Sequence, residues 1–198
     1  MKVKNKHIGF NEPSITKNEY NYIKDALKNK QLSASGIFTK KCNNLFEKKL
    51  GVKKSILTSS CTHALEAASF LININPKDEV IVPSFTFVST ANAFAVRGAK
   101  PVFIDIREDT LNMDEKLLKN LITENTKAII PVHLYGQSCD MEPIINLAKK
   151  YDLKIIEDNA QAIGCEYTFR DGKTKSTGTM GDIGTTSFYP SKNLGAYG

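Results

Sequence analysis

An α/β fold, with helices on both faces of a mostly parallel sheet, is predicted by three observations. Helical and strand patterns alternate along most of the chain. The strand-type runs, such as Glu79 to Val82 and Ala128 to Val132, are short and apolar. Helical runs stop at glycines, as at Gly51 and Gly98.

The first element is a helix from Thr16 to Lys28, in which Tyr20, Ile23 and Leu27 recur at helical spacing. A second helix runs from Thr39 to Leu50 and ends at Gly51, the residue type best suited to close a helix. Then follow a strand (Ser55 to Thr58), a helix (Thr62 to Ile72), a strand (Glu79 to Val82), a helix (Thr86 to Arg97, stopped by Gly98) and a strand (Val102 to Ile106). The pattern continues with a helix over Asp114 to Ile122, a strand over Ala128 to Val132, a helix from Asp140 to Lys150, a strand over Lys154-Ile155-Ile156 and a strand from Gly184 to Tyr189. Crossovers between parallel strands should be right-handed. The Gly-, Thr- and Lys-rich stretch between Cys165 and Gly184, with Arg170-Asp171-Gly172-Lys173, reads as a hairpin or mobile loop.

With 198 residues, 41% of them hydrophobic, the chain can bury one sizeable core. No apolar run approaches the roughly 20 residues that span a bilayer, and Met1 to Lys6 leads into no apolar signal core, so a cytoplasmic protein without membrane contact is expected. Cys42, Cys61, Cys139 and Cys165 lie far apart with no paired spacing, so reduced thiols and no metal site are expected. The net charge of +6 comes almost wholly from lysines, with only Arg97, Arg107 and Arg170 as arginines. That is a poor nucleic-acid footprint; a solvated surface with a modest attraction for anionic substrates is the expectation.

Two residues carry the chemistry. Lys192 follows Ser187-Phe188-Tyr189-Pro190-Ser191, and Asp158 lies in Glu157-Asp158-Asn159-Ala160-Gln161; each comes just after a strand-type run, where α/β sheets bind ligands. An amine able to form a Schiff base and a buried carboxylate able to keep a pyridine nitrogen protonated are the two groups that pyridoxal 5'-phosphate (PLP) needs. Lys192 and Asp158 are therefore the expected catalytic pair. A phosphate site is expected at the turn Thr58-Ser59-Ser60-Cys61-Thr62-His63, which opens a helix whose free N–H groups attract anions. Ser60, Cys61 and Thr62 are its candidates, Thr62 ahead, with ordinary helix capping as the other reading. Ser187 could add a phosphate donor. Phe87 could stack on the pyridine or be a core residue, and Gln161 could bond the ring oxygen. His133 and Tyr135 are placed on the same rim, with a hydrogen-bonded structural role as the first reading of the histidine.

These residues sit in five ordered blocks: Thr58 to Glu66, Pro83 to Phe87, Gly98 to Phe103, Glu157 to Gln161 and Ser187 to Gly195. Together they resemble the DegT/DnrJ/EryC1/StrS family of sugar aminotransferases, the likeness running from Phe10-Asn11-Glu12-Pro13 to the last residue. The resemblance implies the large domain of a fold type I PLP enzyme, an α/β/α sandwich. It also implies transfer of an amino group from L-glutamate to a nucleotide-linked keto-deoxysugar in polysaccharide or glycoside biosynthesis. The family's roles would fall on Lys192 as Schiff-base lysine and general base, Asp158 at the pyridinium, Gln161 at the ring oxygen, Phe87 as the stacking ring, and Thr62 and Ser187 at the phosphate. Members of the family continue into a small C-terminal domain and form homodimers in which the partner completes each site. The chain ends at Gly198, shortly after the lysine, so it is expected to be the front part of a longer protein.

A dTDP-4-keto-6-deoxyhexose is the expected acceptor, with a 3-keto sugar as the alternative. The rivals are a sugar dehydratase branch, disfavoured because it has histidine in place of the lysine, and a noncatalytic binding or regulatory homologue or an inactive fragment, the binding homologue disfavoured by the intact set of Lys192, Asp158 and Gln161.

Overall fold

The computed structural model describes residues 15–33 and 35–196. The start of the family likeness at Phe10 and the chain end at Gly198 lie outside the described residues.

Five strands, β1 (Glu79–Pro83), β2 (Lys100–Ile104), β3 (Thr126–Ile129), β4 (Lys154–Asp158) and β7 (Ile183–Thr185), form a sheet in the order β2-β1-β3-β4-β7. Every neighbouring pair is parallel. The alternation of side chains along a strand sorts the core into two layers. Val80, Val82, Ala128, Ile130 and Ile156 pack against α3 (Cys61–Leu71) and α4 (Ser89–Ala95), where Leu65, Ala68 and Phe94 are buried. Ile81, Ile129 and Ile155 face the opposite way, onto α5 (Leu118–Leu121) and α6 (Met141–Tyr151), with Leu118, Met141 and Ile144. The expected three-layer α/β/α sandwich is the fold observed. Strands buried on both faces read as unbroken apolar runs, which is why β1, β3 and β4 were legible.

Before the sheet come α1 (Glu19–Lys28), which has no buried residue, and α2 (Ile37–Leu50), which ends at Gly51 in the left-handed conformation (φ 64°) that the sequence called for. The stretch after Cys165 forms the expected antiparallel hairpin, β5 (Glu166–Thr168) and β6 (Thr174–Ser176). The Tyr167 hydroxyl pins it to the start of α6 through Asp140.

Several expectations need correction. No strand forms over Ser55 to Thr58, because side chains of α2 capture its backbone donors: Ser55 N–H donates to Glu47 Oε1 at 3.1 Å and Leu57 N–H to Asn43 Oδ1 at 3.1 Å. The strand expected from Gly184 to Tyr189 is only Ile183–Thr185, since its partner β4 ends at Asp158 and the chain then folds into turns. Ser187 is therefore not on a strand, and Lys192 sits in a turn beyond β7. The helices expected over Thr86 to Arg97 and Asp114 to Ile122 are the shorter α4 and α5. The strand expected at Val102 to Ile106 begins and ends two residues earlier, as β2, and the one expected at Ala128 to Val132 begins two and ends three residues earlier, as β3.

Candidate active site

The carboxyl ends of β4 and β7 and the N-terminal ends of α3 and α4 meet on one side of the sheet. Alternation along β4 sends Glu157 and Asp158 to opposite layers. Asp158 points to the α3/α4 side and is 5% exposed. Its Oδ2 accepts from the Thr90 hydroxyl of α4 at 2.7 Å, and its Oδ1 accepts from Ala160 N–H at 3.1 Å. Burial raises its pKa above the ordinary carboxylate range, opposed by these hydrogen bonds and by the charge of Lys192. Asp158 and Lys192 also both act electrostatically on Cys61, the first residue of α3, whose thiol burial pushes up to about 12. Asp158, Lys192 and Cys61 thus lie within electrostatic reach of one another.

Lys192 is half-buried and held by its loop. Its N–H donates to Tyr189 O at 2.9 Å, Ala196 N–H donates to Phe188 O at 2.8 Å, and Asn193 Nδ2 donates to Ile163 O at 2.6 Å. Gly195 closes this loop; a Cβ there would overlap the Pro190 carbonyl.

At the start of α3, Ser60 is the N-cap, its hydroxyl accepting from His63 N–H at 3.1 Å, so the capping reading describes its contact. The Thr62 hydroxyl lies 2.8 Å from that of Ser89 on α4. Ser187 is 7% exposed and its Oγ accepts from Tyr189 N–H at 3.3 Å. Phe87 is no core residue: its ring is 71% exposed. Gln161 turns Oε1 to Tyr135 N–H at 2.8 Å, so its NH₂ is the group left for another partner.

His133 is fully buried, as the structural reading of it requires. Its Nδ1 accepts from Cys139 N–H at 3.1 Å, so its ring proton is on Nε2, which donates to Glu157 Oε2 at 2.8 Å. Tyr135 lies in the left-handed region (φ 51°) with its side chain 71% exposed. Sequence reasoning missed three contributors here: Glu157, Thr90 and Ser89. For the last two a signal existed, since Thr86, Ser89 and Thr90 fall at i, i+3 and i+4 and so share one side of a helical turn.

A lysine and a buried carboxylate beyond the strands of a parallel sheet are the two groups that the PLP-dependent class of enzyme requires, and the start of α3 lies within electrostatic reach of both. The profile of the DegT/DnrJ/EryC1/StrS aminotransferase family matches residues 13–198, and the chain belongs to that family. Among its relatives is a GDP-perosamine synthase from Caulobacter vibrioides, 41% identical over 180 residues, which cover 91% of this chain and 47% of the relative. Another is a UDP-2-acetamido-2-deoxy-3-oxo-D-glucuronate aminotransferase from Pseudomonas aeruginosa, 45% identical over 149 residues, 75% of this chain and 40% of the relative. A protein from Streptococcus pneumoniae, solved in a PLP form and named for its likeness to sugar aminotransferases, superimposes with a TM-score of 0.84 at 32% identity, over 95% of this chain and 50% of that one. PLP is the cofactor of the family, and the fold is that of type I PLP enzymes. The chain spans about half the length of the curated relatives it matches. Among the described residues no helix is long and apolar enough to cross a membrane.

Proposed function

We propose that this chain carries the PLP-binding portion of a nucleotide-sugar aminotransferase, moving an amino group from L-glutamate to a keto group on a nucleotide-linked deoxysugar. The observation that carries the reading is that Lys192, in the turns beyond β7, acts electrostatically on the buried Asp158 at the end of β4. Asp158 also fits the cofactor: a carboxylate forced up by burial is stabilised by a cationic ring nitrogen beside it.

When bound, PLP supplies an electron sink for the bond changes at the substrate carbon. Asp158 would hold the ring nitrogen's proton, the Gln161 NH₂ would donate to the ring oxygen, and the exposed Phe87 ring would cover one ring face. Thr62 and Ser187, with the N–H groups that open α3, would hold the phosphate, with Ser60 and Cys61 forming the same turn. Lys192 would first hold the cofactor through its Nζ and, once released, carry a proton to or from the substrate carbon as general base.

For the acceptor we propose a dTDP-4-keto-6-deoxyhexose. The Pseudomonas aeruginosa relative, named for a 3-oxo sugar, favours a 3-keto sugar as second reading. The relatives' names carry GDP and UDP, so dTDP-, GDP- and UDP-linked acceptors belong in one assay. The proposed setting is a cytoplasmic homodimer, with the 198 residues corresponding to the N-terminal segment and large domain.

The test is an absorbance spectrum of the chain with PLP, before and after borohydride, followed by peptide mapping. A visible band and a pyridoxyl label on Lys192 support the reading, and amino transfer from L-glutamate is then assayed. No label in the chain, nor in a chain extended by the second half of a relative, would overturn it and favour a noncatalytic homologue.

A further inference from the structure

The turn that opens α4 holds hydroxyls for which the mechanism has no use. Thr90 is completely buried, among the apolar neighbours Ala91, Ala93 and Phe94. Valine would fill the same volume there without a hydroxyl to satisfy, and a buried hydroxyl destabilises the fold unless it is bonded. The Thr90 Oγ1 is bonded twice: 2.7 Å to Asp158 Oδ2, across 68 residues of sequence, and 2.8 Å to Thr86 Oγ1. A hydroxyl has one proton to give. The carboxylate oxygen can only accept when ionised, so the Thr90 proton goes to Asp158 and the Thr86 hydroxyl must donate to Thr90. The chain of donors is therefore directed, from Thr86 through Thr90 to Asp158.

We propose that Thr90 is a positioning residue for the proposed chemistry: backed by Thr86, it fixes the Asp158 carboxylate and keeps one of its lone pairs available to a cationic ring nitrogen. The inference rests on the function proposed above. Thr90 occupies one lone pair of Oδ2 and Ala160 N–H one of Oδ1, so rotation of the carboxylate would break both bonds. Each oxygen keeps a second lone pair. The same helix start reaches the other end of the site, where the Ser89 hydroxyl meets that of Thr62 at 2.8 Å. One helical turn thereby ties the carboxylate end to the proposed phosphate end.

The test reads the carboxylate directly and does not require bound cofactor. The titration midpoint of Asp158 is measured by carbon-13 carboxyl NMR in the wild-type chain, Thr90→Val, Thr90→Ser and Thr86→Val. Lys192, His133 and Cys61 are the other titratable groups acting on it or acted on by it, and all three stay in place in every variant. Loss of a hydrogen bond to a charged acceptor should raise the midpoint in Thr90→Val by about one unit, a tenfold change in proton affinity. Thr90→Ser should restore it. Thr86→Val should move it in the same direction by roughly a fifth as much, and this reads the proposal even if the valine at 90 fails to fold. Midpoints within about 0.1 unit of wild type in both valine variants, or no rescue by serine, would overturn the assignment. Failure of PLP to label Lys192 in both the chain and its extended form would instead overturn the proposed function and leave the midpoints standing.

Discussion

Glu157→Gln is a severe test of how the site is held. Glu157 is fully buried, and four donors reach its two oxygens. Met180 and Gly181 N–H donate to Oε1, each at 2.6 Å; Gly178 N–H and His133 Nε2 donate to Oε2, each at 2.8 Å. Glutamine keeps the shape and one acceptor. Its oxygen can serve the Met180 and Gly181 pair, but its NH₂ then faces two donors, and moving the imidazole proton to Nδ1 only transfers the conflict to Cys139 N–H. Two buried donors are left without an acceptor, at about 1–3 kcal/mol each, so a loss of about 3 kcal/mol is expected. For a chain of this length that lowers the melting temperature by roughly 6–12 °C in a calorimetric scan. A variant within about 1 kcal/mol of wild type in both thermal and denaturant unfolding would refute the account, because it would mean that the four contacts are replaceable by water or by a small shift of the 177–181 loop.

Three further outcomes are expected. Gly195→Ala forces the Lys192 loop off the Pro190 carbonyl, so labelling of Lys192 by PLP and borohydride should fall at least tenfold while the melting temperature stays within a few degrees; undiminished labelling contradicts it. Burial raises the folded-state pKa of Asp158 above its unfolded value, so its contribution favours the folded state fully below the unfolded value near ~3.9 and is lost as pH rises through the folded value. Without cofactor, Asp158→Asn should therefore gain stability relative to wild type as pH rises from about 4 towards neutrality, and a pH-independent difference in denaturant midpoints would contradict this. With its thiol pushed up to about 12, Cys61 should react slowly with iodoacetamide at pH 8, and peptide mapping that found it modified first would refute that.

Lys192 and Asp158 could be singled out because an amine and a carboxylate beyond strand-type runs are residue types that the proposed chemistry requires, whichever way the loops run. The central strands were legible because burial on both faces leaves an unbroken apolar run. What escaped notice depends on partners distant in sequence. Ser55 to Thr58 has strand composition, but composition does not tell whether a neighbouring strand or the side chains of Asn43 and Glu47 will take its N–H groups. The aromatic run before Lys192 suits a strand equally well, yet the turn bonds at Tyr189 and Phe188 prevail. Glu157 looked like a companion of Asp158 until the pleat sent the two to opposite layers, and Thr90 could be assigned to Asp158 only by knowing which way α4 faces.

The strand order also bears on synthesis. In a chain made from its N-terminus, β1 and β2 are made first and are neighbours, and β3, β4 and β7 are each made after the strand they lie beside. The donors on α3 and α4 and the carboxylate on β4 are all synthesised before β7, and the amine of Lys192 arrives after it. Synthesis thus makes all of the proposed receptacle but Ser187 before β7, and shortening from the C-terminal side would remove the amine before any of it.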